Sequence, residues 1–148
     1  RGSEIDTFVL DDGWFGARNH DKAGLGDWFE NRERFPSGLA AFVKRVKAEG
    51  IKFGIWIEPE MVNPDSDLYR AHPDWAIATP GYEPMLSRDQ LVLDMANPEV
   101  VAYLKESFAK TFAGVDIDYF KWDMNRNFSE FGSAQLPADR MKEMPHRY

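Results

Sequence analysis

Two rhythms of apolar and polar positions alternate along this chain. Ile5 to Leu10 (IDTFVL), Ile51 to Ile57 (IKFGIWI) and Ile117 to Trp122 (IDYFKW) are short β-branched and aromatic runs, and each is followed at once by acidic residues. Such runs predict buried strands. Between the first two, Leu39, Phe42, Val43 and Val46 recur at helical spacing, Lys44, Arg45 and Lys47 follow that face, and Gly50 supplies a stop. Before the third run, Asn97 can cap a helix with Pro98 at its first position; Val101, Leu104, Phe108 and Phe112 form its predicted buried stripe and Gly114 its end. The segment from Gly13 to Pro36, rich in Gly, Asn, Asp and Trp, is longer than most connections and is expected to be functional. The stretch containing HPDW, Pro80-Gly81 and LVLD reads as irregular, and Ala138 to Tyr148 has a helical composition.

Strand, helix, strand, helix, strand predicts an α/β fold with a parallel sheet built from βαβ units. A parallel sheet gathers the carboxyl ends of its strands on one edge, where ligands bind in open α/β sheets and in (β/α)8 barrels alike. Asp11, Asp12, Glu58, Glu60 and Asp123, far apart in the chain, should therefore meet. DDGWFG lacks the spacing of a glycine-rich phosphate loop, and the neighbouring acids would repel a phosphate.

Composition narrows the partner. With 148 residues, of which 43% are hydrophobic and 14% aromatic, the chain can supply a sizeable core. A formal net charge of -7 gives no attraction for nucleic acid or an anionic membrane, so a neutral small molecule is the expected partner. No apolar run approaches the roughly 20 residues that span a bilayer. The absence of cysteine excludes disulfides and thiolate chemistry and fits a reducing compartment.

The run from Tyr119 to Asn127 (YFKWDMNRN) carries the sharpest chemistry. In extended chain Lys121, Asp123 and Asn125 line one side while Trp122 and Met124 take the other. One reading is a solvated strand end with a local salt bridge; the other is a site. Acids interleaved with Trp14, Trp28, Trp56 and Trp122 fit a neutral polyhydroxylated ligand, because carboxylates accept from hydroxyls and indole faces cover the C–H face of a sugar. Hydrolysis of a sugar needs two carboxyl groups, about 5–5.5 Å apart in a retaining enzyme. Asp123 is the better nucleophile, since Lys121 on the same face favours its charged form. The competing reading is Mg²⁺ or Ca²⁺ held by Glu58, Glu60 and Asp123.

DDGWFG, DWFENRERFPSGL, FGIWIEPEM, HPDW, RDQLVLD and KWDMNRN, in this order over nearly the whole chain, resemble the catalytic barrel of glycoside hydrolase family 36, the bacterial-type α-galactosidases. The resemblance implies residues 1–148 as a fragment of one (β/α)8 (TIM) barrel domain, approximately strands two to four with their helices. It implies a retaining hydrolase that removes terminal α-galactose from small galactosides such as melibiose or raffinose, without a cofactor or metal. Asp123 falls on the nucleophile; Asp11, Asp12, Trp56, Arg88, Lys121 and Asn125 fall on substrate contacts. Arg88 can equally brace its loop, Trp14 and Trp28 can be packing, and Glu58 and Glu60 are better suited to holding neighbouring loops. The acid/base is expected on a strand beyond this chain, so the isolated chain is expected to be inactive. Gly2 reads as the close of an upstream helix, with an expression scar at Arg1-Gly2-Ser3 as the alternative. The alternatives for function are a galactosyl-transferring enzyme of the raffinose synthase type and a non-catalytic sugar-binding fragment. A cytoplasmic homo-oligomer is the expected setting.

Overall fold

The computed structural model describes residues 5–148, and the two readings of Arg1-Gly2-Ser3 lie outside the described residues. In chain order the elements are β1 (Thr7–Leu10), α1 (Leu39–Ala48), β2 (Lys52–Ile57), β3 (Met61–Val62), α2 (Asp67–Ala71), β4 (Leu91–Val92), α3 (Pro98–Thr111), β5 (Tyr119–Trp122) and α4 (Met144–Arg147). A 3₁₀ turn over Pro73–Trp75 precedes β4, and another over Ala138–Glu143 leads into α4. The fold is α/β: β1, β2 and β5 form a parallel sheet in the order β1-β2-β5, with Leu10 opposite Ile55 and Ile57 opposite Trp122. All three predicted strands exist, each beginning one or two residues late.

The two long helices start and stop where the sequence places their signals. Leu39 and Val43 bury the inner face of α1, and Gly50 ends it at a φ of 80°, a conformation that costs glycine no steric clash. Asn97 caps α3, its side chain accepting from Glu99 N at 2.9 Å. The buried stripe of α3 is rotated from the expected one: Val100 and Leu104 are buried, and Val101 is only half-buried. Val100 stands one turn before Leu104 on the face that α3 turns to the core.

The largest departure from expectation is the segment from Gly13 to Pro36, which supplies core. Trp14, Phe15, Leu25 and Trp28 are at most 1% exposed. The segment folds back on itself, Gly16 N donating to Phe29 O and Phe15 bridging to Glu30. Its rings pack with those of the sheet and α3: Phe15 lies 4.5 Å from Trp28 and 6.0 Å from Trp56, and Trp28 lies 5.5 Å from Phe108. Each such pair contributes roughly 0.5–1.5 kcal/mol beyond area burial. Trp14 and Trp28 are therefore packing residues, the second of the two readings that the sequence left open for them. β5 departs the other way. Its predicted burial fails because, among the described residues, it has a strand partner, β2, on one side only; Tyr119, Phe120 and Trp122 are 53%, 44% and 58% exposed. β3 and β4 form a small antiparallel pair where an irregular stretch was expected.

Candidate active site

The parallel register brings three strand ends to one edge, where Leu10 leads into Asp11, Ile57 into Glu58 and Trp122 into Asp123. Asp123 N still donates to Ile57 O at 2.8 Å, which fixes the residue at the rim before the chain leaves the sheet. Its carboxylate accepts three hydrogen bonds: from Trp56 Nε1 at 2.9 Å and Asn125 Nδ2 at 2.9 Å on Oδ2, and from Met124 N at 3.0 Å on Oδ1. These donors hold its pKa below the ordinary aspartate value, with the Trp56 indole N–H as the first cause; partial burial opposes them and Lys121 adds a smaller attraction. The expected low pKa is present, but its chief cause is an indole.

Lys121 pairs across the sheet. Its Nζ lies 2.8 Å from Asp11 Oδ2, an exposed pair joining β5 to β1 across β2. That contact lowers the pKa of Asp11 and raises that of Lys121. Asp12, next along, is gripped by Arg18: Nε donates to Oδ1 at 2.9 Å and Nη2 to Oδ2 at 2.8 Å. Arg18 is 4% exposed, while Asp12 keeps an open side. Arg18 is itself seated by Ala23 O and Asn63 Oδ1, and Asn63 Nδ2 donates to Asp89 O at 2.7 Å. The paired fork sets the orientation of the Asp12 carboxylate.

Trp56 is buried, its ring stacked at 10° on Phe15, so its polar edge is the part that meets the site. Arg88 sits with Asp89 in a left-handed turn, φ 54° and 56°, and its Nη1 donates to the carbonyl and Oδ1 of Asn125. The site residues from Asp11 to Asn125 thus form one rim, with Arg88 and Asn125 at one end and Asp12 and Arg18 at the other.

The acids of the competing cation reading have separate partners. Glu58 accepts from Asn125 N and from Gln90 Nε2, whereas Glu60 accepts from Trp122 Nε1 at 3.0 Å and Tyr148 Oη at 2.9 Å. Among the described residues no three acids or histidines converge as ligands.

Sequence reasoning passed over three residues that build the rim: Arg18, Gln90 and Arg126. Arg126, 5% exposed, donates from Nη1 to Met85 O at 2.7 Å and Gln90 O at 2.8 Å, and from Nη2 to Ser129 Oγ at 2.9 Å. Its position inside KWDMNRN was a usable signal; Arg18 and Gln90 lie in no periodic pattern.

A parallel α/β sheet with a charge-stabilised aspartate at the carboxyl edge of its strands is a scaffold of the active-site type. The melibiase family model matches residues 1–148. α-Galactosidase AgaA of Geobacillus stearothermophilus is 48% identical over 144 residues, which is 97% of this chain and 20% of that protein. The α-galactosidase of Escherichia coli is 46% identical over the same shares. The crystal structure of the α-galactosidase from Lactobacillus brevis superimposes with a TM-score of 0.92 at 51% identity, covering 97% of this chain and 19% of that one. A variant of AgaA solved in complex with raffinose gives 0.92 at 48%. The chain belongs to the melibiase family, glycoside hydrolase family 36. It spans about a fifth of the length of these relatives.

Proposed function

We propose that this chain is part of the catalytic (β/α)8 barrel of a retaining α-galactosidase, contributing strands two to four, and that Asp123 is its nucleophile. The observation that carries the reading is the set of three donors on Asp123. A carboxylate offers about four lone-pair sites, so three donors leave one site, on Oδ1, to attack. Attack forms a bond from Oδ1 to the anomeric carbon of galactose as the glycosidic C–O bond breaks. The leaving oxygen takes its proton from a second carboxylic acid, expected on another strand of the barrel. Water then gives a proton to that second group and displaces Asp123, restoring the starting state with retained configuration. Asp11, Asp12 and Lys121 supply hydroxyl partners beside the reacting carbon, and Asn125 and Arg88 complete the rim. Relatives crystallised with raffinose and with stachyose support a small galactoside as the substrate.

The test uses the full-length protein that carries these residues. A slow ring-fluorinated α-galactosyl substrate should leave one fluorogalactosyl mass on the peptide containing Asp123. Asp123→Ala should lose turnover while keeping the fold, and azide should restore it with β-galactosyl azide as product. Label on another residue, or an inverted product from the wild type, would overturn the assignment.

A further inference from the structure

Glu58 has no exposed surface, although it follows directly on β2 at the edge where the site lies. Among the described residues no lysine, arginine or histidine comes within ion-pair distance of its carboxyl group. It instead accepts the main-chain N–H of Asn125 and, at 3.3 Å, the side-chain amide of Gln90. β5 ends at Trp122 and the last ladder bond beyond it is that of Asp123 N, so the main chain at Asn125 is outside the sheet. Asn125 nevertheless presents Nδ2 to Asp123 at 2.9 Å and Oδ1 to Arg88. The bond from Asn125 N to Glu58 is what sets where that side chain starts.

We infer that Glu58 is a positioning residue: it anchors the Asn125 main chain from beneath the rim and thereby holds the Asn125 amide against Asp123. The inference rests on Asp123 as the nucleophile. Being fully covered, Glu58 does not reach substrate. The charges facing it are Asp123, which repels a second negative charge, and Arg18, which attracts it from beyond ion-pair distance. Burial is the first cause that raises its pKa, and the Asn125 N–H opposes it. Asp123 and Glu58 thus sit in environments that push them apart: one carboxyl is held charged for attack, the other is driven toward its neutral form for structure.

Three variants of the full-length enzyme separate this role from simple packing. Glu58→Gln keeps an acceptor for Asn125 N in the same volume, and kcat/KM should stay within about twofold of wild type across the pH range. Glu58→Leu keeps the volume and removes the acceptor. The Asn125 amide should then leave Asp123, whose pKa rises, so the acid limb of kcat/KM moves to higher pH. A charge-assisted hydrogen bond of this kind corresponds to roughly a tenfold fall on the acid side. If the leucine variant fails to fold, Glu58→Asp, one methylene too short to reach Asn125, carries the same expectation. A second readout needs no turnover: amide exchange over residues 123–128 should accelerate in the leucine or aspartate variant and stay at the wild-type rate in the glutamine variant. Unchanged exchange in all three overturns the positioning role. So does an acid limb that stays in place while kcat falls, or a glutamine variant as damaged as leucine. Exchange that follows the expectation in a protein that cleaves no α-galactoside would leave the anchor standing and remove the catalytic reading alone.

Discussion

Trp56 and Asp123 are 67 residues apart in the chain, and the indole Nε1 of one donates to Oδ2 of the other at 2.9 Å. The bond is possible because Trp56 stands opposite Lys121 in the parallel register, so the two side chains leave adjacent strands near the same edge. Trp56→Phe keeps a ring against Phe15 and removes the donor. The pKa of Asp123 should rise, since the first cause of its depression is gone. Its charged form is then lost at a higher pH as acid is added, and the acid limb of kcat/KM moves up the scale. We expect kcat/KM to fall roughly tenfold at the acid end and less at neutral pH. A profile that drops equally at every pH would assign Trp56 to packing alone.

Arg18 and Asp12 should behave as one unit. Arg18→Lys preserves the charge and loses the fork, so Asp12 is free to turn and substrate binding weakens, raising KM more than it lowers kcat. In an Asp12→Asn background the same change should have little further effect. The double-mutant cycle should return a coupling of about 1–3 kcal/mol. Additive losses would mean that Arg18 supports the fold without orienting Asp12.

Chelation provides a test of the cation alternative. EDTA should leave the full-length enzyme's rate unchanged, because Glu58, Glu60 and Asp123 are occupied by separate donors. Inactivation by EDTA with recovery in Mg²⁺ or Ca²⁺ would restore the metal reading.

For the scaffold, Asn97→Ala removes the cap of α3 and should cost about 1 kcal/mol, measured as a shift in the denaturant midpoint at constant slope. Its side chain is buried, so the cost is expected not to fall below that value. No measurable change would show that water takes over the Glu99 N–H without penalty.

The central elements were legible because their signals are local. Ile51 to Ile57 is a continuous apolar run, and Gly50 and Asn97 mark helix boundaries through backbone geometry that few residues adopt. The edge of acids followed from the parallel sheet alone. Partnerships across the chain were not legible. Lys121 sits two residues from Asp123 and was read as its charge partner, yet its ammonium pairs with Asp11, 110 positions away. Trp14 and Trp28 carry the same composition signal whether a ring faces sugar or core, and only the folded path of the Gly13–Pro36 segment decides it. The two-residue strands β3 and β4 have no periodicity to detect, since Met61 and Val62 become extended only by pairing with Val92 and Leu91.

Arg126 reads the Met85–Gln90 turn through main-chain carbonyls, never through a side chain of that turn. The requirement it imposes is on the path of the backbone, and the side chains of Met85 and Leu86, both about half exposed, take no part in the contact with Arg126. Segment exchange between relatives should therefore succeed when the donor turn has the same length and left-handed pair, whatever its sequence at those two positions, and fail for a turn one residue longer even when every side chain is matched.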